Sequence, residues 1–205
     1  VALLFAGLAL VSSCKKDEDD DSTTDNTENY SALKTAAVSN YSDIVEASYS
    51  DAISTAEALK TTIDAFVDAP SASGLESCKT AWLASRTPYG QTEAFRFYEG
   101  PIDNGVDGPE GSLNAWPLDE VFIDYTRDMP EAGIINDVDY ELSATNLRAD
   151  NEKTDTYIVI GYHAIEFMLW GQDYLEPANG KAGTREFTDY TTADNADRRK
   201  VYLGL

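Results

Sequence analysis

Residues 157–170 read YIVIGYHAIEFMLW, a run that is apolar nearly all round. A segment without a polar face must be surrounded by protein, so the run predicts a helix from Tyr157 to Trp170 buried in a helical bundle. Gly171-Gln172-Asp173 ends it, and residues 177–185 (PANGKAGTR) have the composition of a loop. Within the run only His163 and Glu166 are strongly polar, and their i, i+3 spacing puts both on one helix face. Burying a lone carboxylate costs several kcal/mol, so the pair needs each other, an arginine or a cation.

The chain before this run supports the same class. Tyr30, Leu33, Ala37, Tyr41 and Ile44 form one stripe at mostly helical spacing, and Tyr49, Ile53, Ala56, Leu59, Ile63 and Phe66 form another. The step of five from Ile44 to Tyr49 leaves two possibilities, one long helix or two broken near Ser48-Tyr49-Ser50. Pro70 and the small residues to Gly74 end the stretch. A second helix starts near Leu75 and carries Trp82 and Leu83. Pro88 predicts a kink or a new start before the apolar pattern resumes at Tyr89. Residues 100–116 are rich in glycine and proline and read as a long loop, a type that tends to be functional or mobile. A short helix is predicted to open at Pro117, and a last one near Asp194. No strand-like alternation occurs. The prediction is all-α, an up-and-down bundle of the four-helix type.

The first fourteen residues, VALLFAGLALVSSC, are too short an apolar stretch to span a membrane and have the form of a secretory signal peptide. Val11-Ser12-Ser13-Cys14 resembles a lipobox, which makes Cys14 the expected lipidation site, against an ordinary signal peptide that happens to end at a cysteine. Multiple acyl chains would make a firm membrane anchor. Residues 15–29 follow as an acidic, polar tether with nothing to bury. Its opening, Lys15-Lys16-Asp17-Glu18, resembles the surface-export signal of some bacterial lipoproteins, and a solvated linker explains it equally well. Residues 30–205 are then the helical domain. The start at Val1 and the end just after a helix begins suggest a piece of a longer protein, truncated at its C-terminal end.

The net charge is -22 over 205 residues. Such a field repels nucleic acid, which is not an expected partner, and favours cations only weakly. Cys14 and Cys78 are the two cysteines. With Cys14 committed to lipid, Cys78 reads as a small buried hydrophobe, not a nucleophile.

An imidazole nitrogen and a carboxylate oxygen one turn apart can give two ligands to a divalent metal, iron or zinc. The plain alternative is a core pair in which Glu166 merely holds the ring of His163. A zinc peptidase of the H-E-x-x-H type is excluded, because residue 164 is alanine and His163 is the single histidine. A second polar cluster lies in Arg86-Thr87-Pro88-Tyr89-Gly90-Gln91-Thr92-Glu93-Ala94-Phe95-Arg96, where Arg86, Gln91, Glu93 and Arg96 sit among aromatics and can line a pocket. Ordinary exposed helix charges are the alternative there. Asp119 and Glu120 read equally as acids favoured at a helix start.

The stretches AWLASRTPYGQTEAFRFYEGPID (81–103), GPEGSLNAWPLDEVFIDY (108–125) and GYHAIEFMLWGQD (161–173) resemble the imelysin family, the last through its G-x-H-x-x-E signature at Gly161, His163 and Glu166. The resemblance implies two similar four-helix bundles with a site at their interface, of which this chain holds the first. It implies an outer-membrane lipoprotein, facing the periplasm or the surface and working with iron-uptake machinery. The family was also classed as metallopeptidases. The expected function is a metal-linked binding protein of the cell envelope associated with iron uptake. The alternative is a zinc-dependent peptidase using His163 and Glu166, and enzymatic activity is left open.

Overall fold

A computed structural model describes residues 26–105, 108–153, 157–173, 183 and 185–205. The signal peptide, Cys14, most of the tether and most of the loop at 177–185 lie outside the described residues. The protein is all-α. Its helices are α1 (Asn26–Asp68), α2 (Ala72–Thr92), α3 (Glu110–Leu113), α4 (Glu120–Ile123), α5 (Ala144–Asn151), α6 (Tyr162–Trp170) and α7 (Ala196–Gly204). Single 3-10 turns cover Glu93–Phe95 and Phe187–Tyr190, and no strand occurs among the described residues.

Two units divide the chain, Val1–Tyr41 and Ser42–Leu205. In the first, Tyr30, Leu33, Val38 and Tyr41 of α1 are all exposed. The second holds the hydrophobic core. There α1 buries Ala52, Leu59, Ile63 and Phe66, which recur at helical spacing on one face. The slip at Ser48-Tyr49-Ser50 does not interrupt the helix, so the single-helix alternative is the one observed.

A tight connection joins α1 to α2. The Ser71 hydroxyl accepts a bond from the Gly74 amide at 3.1 Å, capping α2. Gly74 lets the first turn approach Phe66 closely, since a Cβ there would stand 3.0 Å from the ring edge. From this start α2 buries Leu75, Cys78, Trp82, Ser85, Tyr89 and Thr92, at steps of three, four, three, four and three. The stripe passes Pro88 in register, and the expected kink or new start is absent. Pro88 removes one N–H only a turn before the helix ends at Thr92, where few further helical bonds are at stake.

The run at 157–170 is corrected more substantially. Residues 157–161 are not helical, although Ile158 and Val159 are buried, and α6 begins only at Tyr162. Gly161 has φ +90°, and a Cβ on it would lie 2.6 to 2.8 Å from backbone atoms of Ser112 and Leu113. A helix cannot propagate through that conformation, which glycine alone adopts freely. Apolarity told that the segment is covered, not that it is periodic. Pro117 likewise does not open a helix. It follows a cis peptide bond from Trp116, and α4 starts three residues later behind Asp119.

The core joins Leu59, Ile63 and Phe66 of α1 and the α2 stripe to Ile123, Leu147, Phe167, Met168, Leu169, Tyr190, Tyr202 and Leu203. Hydroxyl and indole groups inside it are satisfied by backbone carbonyls: Tyr190 on Met168 at 2.5 Å, Tyr202 on Val159 at 2.5 Å, Trp82 on Tyr162 at 2.9 Å. Arg198 of α7 donates to the carbonyls of Ile134, Ile135, Asp137 and Tyr140, fixing that irregular segment against the helix.

Candidate functional site

His163 and Glu166 meet one turn apart on α6, with Nδ1 3.0 Å from Oε2. They are half-buried, not buried: the side chains are 18 % and 42 % exposed. The buried face of α6 belongs instead to Tyr162, Ala164, Phe167, Met168 and Leu169. An ionised carboxylate only accepts, so Nδ1–H is the donor, and a neutral ring then carries its lone pair on Nε2. The Trp116 ring lies 4.8 Å from the imidazole while remaining 69 % exposed. An exposed tryptophan over the chain's one histidine leaves a shallow, open site.

The close approach of Gly161 to Ser112 and Leu113 brings α3 and the segment after it against the start of α6. Asn114 in that segment ties the second cluster together. Arg86 Nη1 donates to Asn114 Oδ1 at 2.7 Å, and Asn114 Nδ2 donates to Glu93 Oε1 at 3.4 Å. Arg96 pairs with Glu93 at 3.3 Å and with Glu110 at 2.8 Å. Arg86, Glu93 and Arg96 are thus brought together. Gln91 is exposed, and among the described residues no side-chain bond connects it to them. No direct hydrogen bond joins this cluster to His163 or Glu166 among the described residues. The link between them is structural: Tyr162 stacks on Tyr89 and bonds Ser85, while Asn114 is two residues from Trp116.

Glu110, Asn114, Trp116 and Tyr89 are participants that the sequence did not single out. Three of them stand in or beside a loop, where no periodicity marks a functional position. Also unanticipated is a buried ionic cluster below α6. Asp124, wholly buried, accepts from Arg185 Nη1 at 2.9 Å, from Arg199 Nε at 2.8 Å and from Asn136 at 3.2 Å. Arg185 also reaches Asp189 at 3.2 Å and lies over the rings of Tyr125 and Phe167. Burial by itself would lower the Arg185 pKa, but Tyr190, Asp124, Tyr125 and Asp189 raise it overall, so the group stays charged. Every acid in the cluster is occupied by an arginine, so its role is to hold α4, α7 and the Phe187–Tyr190 turn together.

Cys78 is fully buried, with its Sγ 3.5 Å from the Thr62 carbonyl, and burial pushes its thiol up to about 11. It is no nucleophile. Burial also raises the Glu120 carboxyl, with Asp173 adding to it. No group of three or more His, Cys, Asp and Glu residues suited to a metal ion occurs among the described residues. With Nδ1 held by Glu166, Nε2 of His163 is the ring nitrogen left to meet a divalent cation, and Glu166 orients the ring.

The family model described as Imelysin matches residues 45–203. The chain belongs to the imelysin family. The match contains all the site residues just described, including Gly161, His163 and Glu166 on α6. The chain is also 28% identical over 127 residues to "Iron-regulated protein A" of Synechococcus elongatus, covering 62% of this chain and 29% of that protein. The imelysin-family segment seen here thus spans under a third of that relative. Among the described residues no helix is long and apolar enough to cross a membrane.

Proposed function

We propose that the protein is an imelysin-family lipoprotein of the cell envelope that binds a divalent cation, iron foremost, in the service of iron uptake. His163 supplies a protein ligand through Nε2, Glu166 orients its ring, and Cys14 carries the lipid that holds the domain at the outer membrane. The observation that carries the reading is the 3.0 Å contact of Nδ1 with Oε2. A carboxylate on Nδ1 orients the ring and makes Nε2 a more basic ligand, the usual supporting arrangement of metal-binding histidines. Similarity to a protein named for iron regulation points the same way. The half-exposed setting suits a cation that arrives and leaves, as cargo does.

The peptidase alternative keeps its footing in the name of the family model, Peptidase_M75. Zinc hydrolysis requires about three protein ligands, an open position and a base. If both side chains bind the metal, neither remains to activate water.

Metal analysis of the full-length protein, wild type beside His163→Ala, tests the proposal. Stoichiometric iron or another divalent metal, lost in a variant that still melts cooperatively, supports it. A wild type that takes up none from any divalent salt contradicts it.

A further inference from the structure

Acids outnumber Lys and Arg by 37 to 15 in this chain, so a half-buried guanidinium would ordinarily end on a carboxylate. Arg96 ends on Glu110 and Glu93, and both Arg185 and Arg199 end on Asp124. Arg86 does not. Among the described residues it makes no ion pair. One nitrogen donates to the Asn114 amide oxygen, and the guanidinium carbon lies 5.0, 5.4 and 5.7 Å from the ring centroids of Tyr162, Tyr89 and Trp82. Three aromatic walls hold the cation in place and lower its contact with water.

Beside it the Tyr89 hydroxyl is buried and without a hydrogen-bond partner, in a residue only 7 % exposed. Buried phenols nearly always find a partner. The charged groups around this one are Glu110, Arg96, Glu93 and Arg86. Arg96 Nε is also buried and unpartnered. The neighbourhood therefore has two spare buried donors, the Tyr89 hydroxyl and Arg96 Nε. A group that only accepts hydrogen bonds would match the donors.

We propose that Arg86, with the Tyr89 hydroxyl, forms a subsite for a ligand carboxylate. A planar carboxylate matches the guanidinium fork and the flat aromatic walls. The inference deepens the metal-binding reading and rests on it for the kind of ligand, a small polycarboxylate carrying the cation. Such a chelate brings its own oxygens, and so completes a shell for which this site offers His163 Nε2. Asn114 and Trp116, two residues apart, connect the carboxylate end of the site to the imidazole end.

Calorimetric titration of the full-length protein with citrate, metal-free and then iron-loaded, tests this, with inorganic phosphate as a separate arm. Metal-free citrate should bind, and Arg86→Gln should weaken it at least tenfold. Tyr89→Phe should weaken it severalfold without lowering the melting temperature, because the lost hydroxyl has no partner in the free protein. His163→Ala should leave metal-free citrate binding intact. Intact citrate binding in a protein that never binds metal would sink the metal reading and leave the subsite standing. Metal bound by a protein with no affinity for citrate overturns the subsite alone. Phosphate binding as tightly as citrate, or a Tyr89→Phe variant that loses stability and keeps its citrate affinity, also overturns it.

Discussion

The α carbon of Gly161 faces Leu113 so closely that a Cβ added to it would stand 2.6 Å from the Leu113 carbonyl oxygen. That approach starts α6, and it seats the Asn114–Trp116 segment beside His163. Gly161→Ala should therefore lose at least ~2 kcal/mol, from the left-handed backbone and the backbone clash together. Urea denaturation would measure the loss, and metal affinity should fall with it. An unchanged midpoint would show that α6 does not depend on this contact.

The Asp124 cluster should matter more than any surface pair. Removing one partner of a buried ion pair costs about 3–5 kcal/mol, because the other charge is left without compensation. Arg199→Ala, which strips two bonds from Asp124, is expected to fall in that range. Lys60→Ala, which breaks a pair with Asp64 that is more than half exposed, should cost about 0–1 kcal/mol. Equal midpoints for the two variants in denaturant would contradict the assignment.

Asp150 gives a pH dependence of definite sign. Burial pushes its carboxyl up, but bonds from Lys153 and from the Tyr140 hydroxyl, 2.6 Å away, outweigh burial and hold it below its ordinary value. A depressed folded pKa stabilises above the unfolded value of about 3.9, and that contribution fades as pH drops through the folded value. Melting temperatures of wild type and Asp150→Asn should differ at pH 6 and begin to converge only as the pH falls below about 4. A difference that grows on acidification would reverse the sign and refute the account.

Cys78 should be silent to thiol reagents in the folded protein. With the thiol buried and raised to about 11, modification by an aromatic disulfide at pH 8 should proceed at the rate of unfolding. Fast labelling under native conditions would show that α1 and α2 separate readily there.

These residues also show what could be read before folding. The α2 stripe was visible at Leu75, Trp82 and Tyr89, yet Ser85 and Thr92 share its buried face and look like polar interruptions. Ser85 is buried because the Tyr162 hydroxyl meets it at 2.8 Å, a partner no local pattern reveals. Helical spacing put His163 and Glu166 on one face and left their partner open among each other, an arginine and a cation; the two side chains meet each other. Their half-exposure was not legible, since the apolar run concealed that α6 has an outer edge. Arg185 and Arg199 find Asp124 across 61 and 75 residues, so their letters read as loop and helix surface. The same run carried the predicted helix through Gly161, whose weight lies in a contact with α3 that only the fold supplies.

X-ray absorption at the iron edge of the loaded full-length protein addresses the central claim most directly. The account predicts imidazole scattering from one histidine, absent in His163→Ala and weakened in Glu166→Gln, where the ring loses the carboxylate that orients it. Spectra identical in wild type and His163→Ala would mean that the metal binds elsewhere.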